Sequence, residues 1–476
     1  MVIIMVRLSD LFDVDSDIMI DDIYEDSRCK VNNGLFFAIK GLKFNGNNYI
    51  DEAINNGAVC VVSEDDIDCS VLVIRVSDCK RVYNEVLKKF YNYSCNSLNI
   101  ISVTGTDGKT TVTEILYQLL DNCGYIGTNG IRYKNFEMNN SYTTPMPKDL
   151  FRAFDEFYRR GCKYVSMESS SERLGTNRLI GVDFCVSIFT NLTRDHLDVH
   201  GSMDEYAKAK ALSFKYLKCG GLGIINFDDE YKDYFINSCS NYVTYSSNDN
   251  RADVYASDIH VYYNFLEFDI NGIFGKHHIV SPLSGEFNVY NLMCCIVCLK
   301  YFGYSILHIV DKIKQLKPIE SRQDFIKSDF GFSVMVDYAH TASAIKNLVK
   351  YVRTFVSGNI IVVVGASGDR DARRMIDIAN FCTRNVFYSF FTIDNPRDDD
   401  PISLLNLMVS YVDSCNYELV VDRDEAIKRA VLKAGKDDII LLLGKGNEDY
   451  QIVNGKYVKR LTDMESVKVC LKSLQI

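Results

Sequence analysis

The stretch Val103-Thr-Gly-Thr-Asp-Gly-Lys-Thr-Thr111 carries the residue types that hold phosphate. It follows the apolar run Leu98-Asn-Ile-Ile-Ser-Val-Thr104 and opens a helical pattern through Glu114-Ile-Leu-Tyr-Gln-Leu-Leu120. Gly105 and Gly108 let the backbone curl so that its N–H groups converge on phosphate oxygens, and the helix N-terminus adds a favourable dipole. Lys109 suits the β- and γ-phosphates, and the Thr110 hydroxyl suits a Mg²⁺ ion. The strict G-x-x-x-x-G-K-[ST] pattern is not met, because Val103 stands at its first glycine. What remains is the shorter T-G-T-x-G-K-T form. A tight glycine turn is the plain alternative; the flanking strand and helix favour nucleotide phosphate.

Further along, Val165-Ser-Met-Glu-Ser-Ser-Ser171 reads as a strand ending in Glu168 and a serine cluster. Phe189-Thr-Asn-Leu-Thr-Arg-Asp-His-Leu-Asp198 then puts Asp195 and His196 after a second strand. A hard cation takes oxygen ligands, so Thr110 and Glu168, with His196 as a further candidate, could share Mg²⁺ with the ATP phosphates. Alone, Glu168 is equally a solvated carboxylate at a strand end, and His196 a hydrogen-bonded structural histidine. Their joint placement beside the phosphate loop is what points to chemistry. Cys294, Cys295 and Cys298 contain one C-x-x-C step, but with no second pair nearby core packing is expected instead of zinc.

These groups need a scaffold, and 476 residues suggest roughly three domains. Apolar types at 47% and charged types at 24% describe a globular chain with a large core, not a disordered one. With 53 Lys and Arg against 63 Asp and Glu, the net charge of -10 argues against a general nucleic-acid or anionic-membrane binder. No apolar run reaches the ~20 residues that span a bilayer. The opening Met1-Val-Ile-Ile-Met-Val6 lacks a basic leader and reads as a first strand. The 16 cysteines follow no disulfide framework, and buried free thiols in a reducing cytoplasm fit better.

Short apolar runs separated by turn-rich pieces predict a small α/β domain over residues 1–96. From Leu98 strands alternate with helices, which predicts a largely parallel sheet in a second domain, 97–320. A boundary falls between Pro318 and Asp324. Beyond it the runs at 332–336, 359–364, 386–393 and 438–443 predict a doubly wound domain over 321–476, with ligand groups on the loops after its strands.

The phosphate loop resembles that of the Mur ligases, enzymes that add amino acids to the nucleotide-linked precursor of peptidoglycan. Other motifs follow in the family's order. His200-Gly-Ser-Met-Asp-Glu-Tyr-Ala-Lys-Ala-Lys-Ala211 resembles its H-G-x-M-x-x-Y-x-x-A-K segment, and Gly285-Glu-Phe-Asn-Val-Tyr-Asn291 its G-x-F-N-x-x-N. The resemblance implies an ATP-binding loop of Gly105, Thr106, Asp107, Gly108, Lys109, Thr110 and Thr111, with Lys109, Glu168, His196 and Lys210 as catalytic residues. Lys210 takes the position of an N-carboxylated lysine, whose carbamate can hold a second Mg²⁺. Lys208 is expected to be an ordinary solvated charge. Asn288 would approach the adenine, and Arg322 and Asp337 would contact ATP from the last domain. Asp26-Ser-Arg28, Gly34-Leu-Phe-Phe-Ala38 and Gly41-Leu-Lys-Phe-Asn-Gly46 resemble the uridine-binding domain of the diaminopimelate- and lysine-adding branch. That implies contacts from Ser27, Leu42, Lys43 and Phe44 to UDP, and from Thr143, Thr144, Ser170, Thr176 and Arg178 to a muramoyl-dipeptide.

Asp394-Asn395-Pro396-Arg397 matches the D-N-P-R motif that in this family accompanies meso-diaminopimelate, whose far carboxylate demands a cation. Arg370, Gly444 and Glu448 would complete the amino-acid pocket, Glu448 facing the distal ammonium. The sequence also departs from the family. Glu172 replaces a histidine, Asn447 replaces the histidine of G-K-G-H-E, Asp107 stands where Asn is common, and Ala372-Arg-Arg-Met375 is shorter than the usual K-G-K-R-P stretch. The resemblance thus implies a cytoplasmic, monomeric three-domain α/β ligase. It would join diaminopimelate to the D-glutamate of UDP-N-acetylmuramoyl-L-alanyl-D-glutamate through an acyl phosphate, with ATP and Mg²⁺ and without nucleic acid or membrane. The rivals are a lysine-adding ligase, a folylpolyglutamate synthetase relative and a non-catalytic nucleotide-binding homologue.

Overall fold

The computed structural model describes residues 4–41, 44–140, 142–368 and 371–474. Three sheets carry the architecture. The first has four parallel strands in the order Asp22–Tyr24, Gly34–Phe37, Ala58–Ser63 and Leu72–Arg75. The helix Cys79–Phe90 packs on it, started by Asp78, whose side chain accepts from the Arg81 amide. Its stripe of Tyr83, Val86, Leu87 and Phe90 recurs at helical spacing and enters a core that continues into Leu150, Phe154 and Phe157 of the middle of the chain. The N-terminal sheet is therefore fastened to the next unit by shared apolar packing. The strand expected over Met1–Val6 lies partly outside the described residues; what pairs is Val6–Arg7, antiparallel to Met19–Ile20.

The central sheet has eleven strands. At its heart Asn99–Thr104 lies between Tyr164–Glu168 and Phe184–Phe189, all parallel, so three loops leave the same edge side by side. These strands are buried on both faces and are mostly apolar, as parallel sheets require, with a buried serine in each: Ser102, Ser166 and Ser187. The helix Phe287–Tyr301 crosses one face with Cys294, Cys295 and Cys298 buried against Val112, Ile115 and Leu116. The cysteine step is core, and all sixteen thiols are free. The sheet departs from the parallel pattern at both margins. Gly130–Tyr133 and Phe136–Met138 pair antiparallel at one edge; at the other, Val254–Val261 still joins Tyr242–Ser246 in parallel, and Leu266–Gly272 and His277–Ser281 then add antiparallel pairs. The short connections dictate this, since a tight turn joins only antiparallel neighbours.

The C-terminal sheet runs Asp324–Lys327, Ser333–Asp337, Ile439–Leu443, Ile360–Ser367, Tyr388–Asn395, Tyr417–Leu419, parallel throughout except for the first strand. Asp337, Leu443, Ser367 and Asn395 therefore end on one edge. A separate hairpin, Tyr450–Val453 with Lys456–Lys459, touches that edge through a bridge from Val453 to Arg397. Among the described residues no helix is long and apolar enough to cross a membrane.

Candidate active site

The phosphate loop is shaped by contacts a side chain would destroy. Gly105 has φ +149°, and a Cβ there would lie 1.9 Å from the Thr190 hydroxyl; Gly108, at φ +85°, has Asn291 Oδ1 where a Cβ would need room. The neighbouring loop braces it: the Thr106 amide donates to Asn191 O at 2.8 Å, the Asp107 amide to Asn191 Oδ1 at 3.0 Å, and Thr190 Oγ1 to Asp107 O at 2.7 Å. Lys109 opens the helix Lys109–Leu119 and folds over the loop, donating to Thr106 O at 2.8 Å and Gly105 O at 3.1 Å.

Glu168 ends the adjacent strand, fully buried, with its carboxylate ringed by neutral donors. Thr110 Oγ1 lies 3.0 Å from both carboxylate oxygens, the Thr128 amide donates at 2.8 Å, and the Tyr125 hydroxyl lies at 3.3 Å. A hydroxyl beside a carboxylate that has no cationic partner among these contacts is a donor set suited to a hard divalent ion. His196 is not brought into this set. Its Nε2 lies 3.3 Å from Asp195 Oδ2, and no group of three His, Cys, Asp or Glu forms a metal cluster among the described residues.

Lys210 lies on the helix Met203–Lys215, capped by Ser202, and is buried. Its ammonium nitrogen donates to Gly105 O at 2.7 Å and sits 4.5 Å from the centre of the Tyr206 ring. Burial, reinforced by the positive charge of Lys109, holds this amine well below the usual lysine range. Lys208, two residues earlier, is exposed and pairs with Glu205.

The C-terminal sheet presents its strand ends to the same space. Asp337 accepts from the amides of Gln323 at 2.9 Å and Ala339 at 2.8 Å, and the Arg322 guanidinium lies 5.1 Å from the Tyr338 ring centre. Asn395 Oδ1 accepts from the Ile452 amide at 2.9 Å. Arg397 sits in the left-handed region at φ 55°, held by backbone bonds to Ile452 O and from the Asn454 amide. Its Nε is buried without a hydrogen-bond partner. One cavity of about 1000 Å³ is lined by Thr106 to Thr111, Glu168 and His196 on one side and by Arg322, Asp337, Asn395, Arg397, Gly444 and Glu448 on the other.

The sequence matches the Mur ligase middle domain over residues 103–299 and the glutamate ligase domain of Mur ligases over 321–446. A UDP-N-acetylmuramoyl-L-alanyl-D-glutamate--2,6-diaminopimelate ligase from Halalkalibacterium halodurans is 36% identical, with 91% of this chain and 90% of the relative covered. The chain belongs to the Mur ligase family. A ligase of the same description from Clostridioides difficile is 34% identical, with 98% of each chain covered. A solved structure of a ligase so described superposes with a TM-score of 0.68 at 29% identity, covering 99% of this chain and 100% of the other. The fold is shared more widely: a MurF ligase from Thermotoga maritima in complex with ADP gives a TM-score of 0.67 at 18% identity, covering 95% and 98%.

Against the Mur ligase pattern, the structure gathers some expected residues and disperses others. Asn288 and Thr143 line the cavity, although the Asn288 amide donates to Ser284 O at 2.6 Å and its carbonyl accepts from Asn291. Thr144 is buried behind Glu168, donating to its main-chain oxygen at 2.8 Å. Ser170 caps the helix Ser171–Gly175, and Thr176 closes it by donating to Glu172 O. Arg178, expected to meet a substrate carboxylate, pairs with Glu25, and Ser27 donates to Glu52; neither lines the cavity. Phe44 is 68% exposed. Leu42, Lys43 and Arg370 lie outside the described residues.

In the amino-acid motif, Pro396 contributes a backbone oxygen that accepts from Asp399. Asp394 differs most from expectation: its Oδ1 accepts from Arg423 at 2.7 Å. Arg423 is buried and also grips both oxygens of Asp463, at 2.8 and 2.6 Å, and Leu443 O at 2.9 Å. Glu448, expected to face an ammonium, already accepts from Lys445 at 2.6 Å and from the Tyr338 hydroxyl at 2.7 Å. Sequence reading passed over Tyr125, Thr128, Asn191, Arg423 and Lys445. Tyr125, Thr128 and Arg423 act on residues distant in the chain, whereas Lys445 sits inside the stretch matched to G-K-G-H-E and pairs with Glu448 three residues on.

Proposed function

We propose that this Mur ligase uses ATP to join meso-diaminopimelate to UDP-N-acetylmuramoyl-L-alanyl-D-glutamate. The observation that carries the reading is the single cavity that faces the phosphate loop with Arg397. A carboxylate is a poor electrophile with a poor leaving group, so the D-glutamate γ-carboxylate is first phosphorylated. The amine of diaminopimelate then attacks the acyl phosphate, and the tetrahedral intermediate expels phosphate. Catalysis consists of aligning three substrates and neutralising charge as it develops. No protein nucleophile is required.

In this reading residues 97–320 hold ATP, 321–476 the amino acid and 1–96 the uridine end, with Ser27, Leu42, Lys43 and Phe44 against UDP. Lys109 neutralises the transferring phosphate, and Arg322, Asp337 and Asn288 position the nucleotide. Thr110 and Glu168 would hold Mg²⁺, whose positive charge screens the phosphates when it is bound. Lys210 is suited to carry a carbamate, because burial favours the neutral amine, the form that is nucleophilic toward CO₂. Arg397, with its buried unpaired Nε, suits the far carboxylate of diaminopimelate. Asp394 lines the cavity, but its carboxylate is engaged by Arg423. The protein is taken to be a cytoplasmic monomer acting on small molecules.

The test is product formation by purified protein with ATP, Mg²⁺ and UDP-MurNAc-dipeptide, offered diaminopimelate, lysine or ornithine in turn and read by mass. ATP-dependent incorporation of diaminopimelate is expected. A preference for lysine would overturn the substrate assignment, and no product with any amino acid would overturn the ligase reading.

A further inference from the structure

The segment that departs from the family pattern, Ala372-Arg-Arg-Met375, forms the first turn of the helix Ala372–Asn385 and reaches the central domain. Two ion pairs fasten it there. Arg194 Nε lies 2.8 Å from Asp371, and Arg374 Nη1 donates to Asp195 Oδ1 at 3.1 Å. The Arg374 side chain is only 10% exposed and forms part of the wall of the cavity that holds the phosphate loop and Glu168. Its Nε is buried without a hydrogen-bond partner.

Burying a guanidinium costs several kcal/mol unless its donors are matched. Arg374 pairs with Asp195, which it shares with His196 and His340. Two of these three groups, Arg374 and His340, come from the C-terminal unit, and all converge on a carboxylate of the loop that braces the phosphate-binding backbone. Such an arrangement holds a cation beside the space where anionic reactants gather, with donor capacity left over.

We propose that Arg374 is a further catalytic residue whose guanidinium, held by Asp195, donates to the phosphoryl group throughout its transfer. This rests on the ligase reading above. In the first step a glutamate carboxylate oxygen bonds to the γ-phosphorus as the bridging P–O bond breaks, its electron pair leaving on ADP. In the second the amine nitrogen bonds to the acyl carbon, sheds a proton to solvent, and the C–O bond to phosphate breaks with its pair leaving on phosphate. Negative charge stays on the phosphoryl oxygens in both steps. Arg374 serves as a fixed countercharge. Asp195 is the positioning residue.

Three variants test this. Arg374→Ala should lower kcat by about a hundredfold to a thousandfold with KM for ATP and diaminopimelate changed only a few-fold. Arg374→Lys should recover part of the loss, and Asp195→Asn should fall between them. Calorimetry supplies a readout apart from turnover. In the presence of Mg²⁺ and UDP-MurNAc-dipeptide, aluminium fluoride should tighten ADP binding to the wild type. Arg374→Ala should bind ADP alone as the wild type does and lose that gain. A kcat for Arg374→Ala within about threefold of wild type would overturn the inference. So would equal weakening of ADP with and without fluoride, accompanied by a larger radius of gyration in X-ray scattering, which would make Arg374 a domain latch. Failure of the wild type to form product overturns the ligase reading instead, and fluoride binding still judges Arg374.

Discussion

Glu168 and Asp394 occupy equivalent places in two sheets, each an acid at or next to the end of a parallel strand facing the same cavity. Their surroundings differ in kind. Glu168 is ringed by hydroxyls and an amide, which solvate its charge without cancelling it. Asp394 is joined to a buried arginine that also neutralises Asp463. Neutral donors leave a carboxylate able to attract a cation; an arginine removes that capacity and turns the acid into a strut. Position at a strand end therefore does not decide whether a carboxylate does chemistry. The partner behind it does.

The sharpest way to break this contrast is Glu168→Gln. The amide keeps the size and most hydrogen bonds of the side chain, so the melting temperature should hardly move, while turnover should fall by more than about a thousandfold, or about 4 kcal/mol. Near-normal turnover would show that the charge of Glu168 is unused. Arg423→Met should do the reverse. It strands Asp394 in the interior, leaves Asp463 only its longer contact with Arg460 at 3.4 Å, and should cost about 3–5 kcal/mol of stability, measured by denaturant unfolding. A small loss would mean that water replaces the guanidinium.

Next in size is Arg397→Ala, which should raise the KM for diaminopimelate by about a hundredfold while leaving that for ATP within a few-fold. Equal losses for diaminopimelate and lysine would show that Arg397 braces the hairpin it bridges. The smallest effect concerns Asp195. Burial pushes its carboxyl up, but His340, His196 and Arg374 outweigh burial and hold it well below the usual range. A carboxyl depressed in the folded state stabilises above its unfolded value of about 4 and loses that contribution as pH falls through the folded one. Asp195→Asn should therefore melt below the wild type at pH 7, with the gap closing progressively under acid conditions. A gap that persisted unchanged at low pH would assign the effect to packing.

How much of this was legible in the sequence follows from the range of the interactions. The phosphate loop was legible because its glycines, lysine and threonine act within a few residues of one another. The doubly wound C-terminal sheet was legible because parallel strands buried on both faces leave unbroken apolar runs such as Ile439–Leu443. The antiparallel margins of the central sheet were not, because strand direction there depends on how short a connection is, which apolar periodicity does not record. Lys210 stood out by its motif, but its bond to Gly105 O, more than a hundred residues away, did not. Arg423 left no trace, since an arginine next to a helix cap looks like any solvated one until Asp394 and Asp463 are brought around it.

Thr341 of the C-terminal unit donates to the Asp107 side chain at 3.0 Å, so the phosphate loop itself touches the domain that carries Arg397. This contact ties two binding equilibria together. If nucleotide favours the arrangement in which Thr341 reaches Asp107, it raises affinity for whatever occupies the amino-acid pocket, and that occupant must raise nucleotide affinity by the same factor. A hydroxyl on one side and a carboxylate in place of the family's usual amide on the other thus give this chain its own setting for substrate synergy, adjustable at Thr341 from outside the cavity lining.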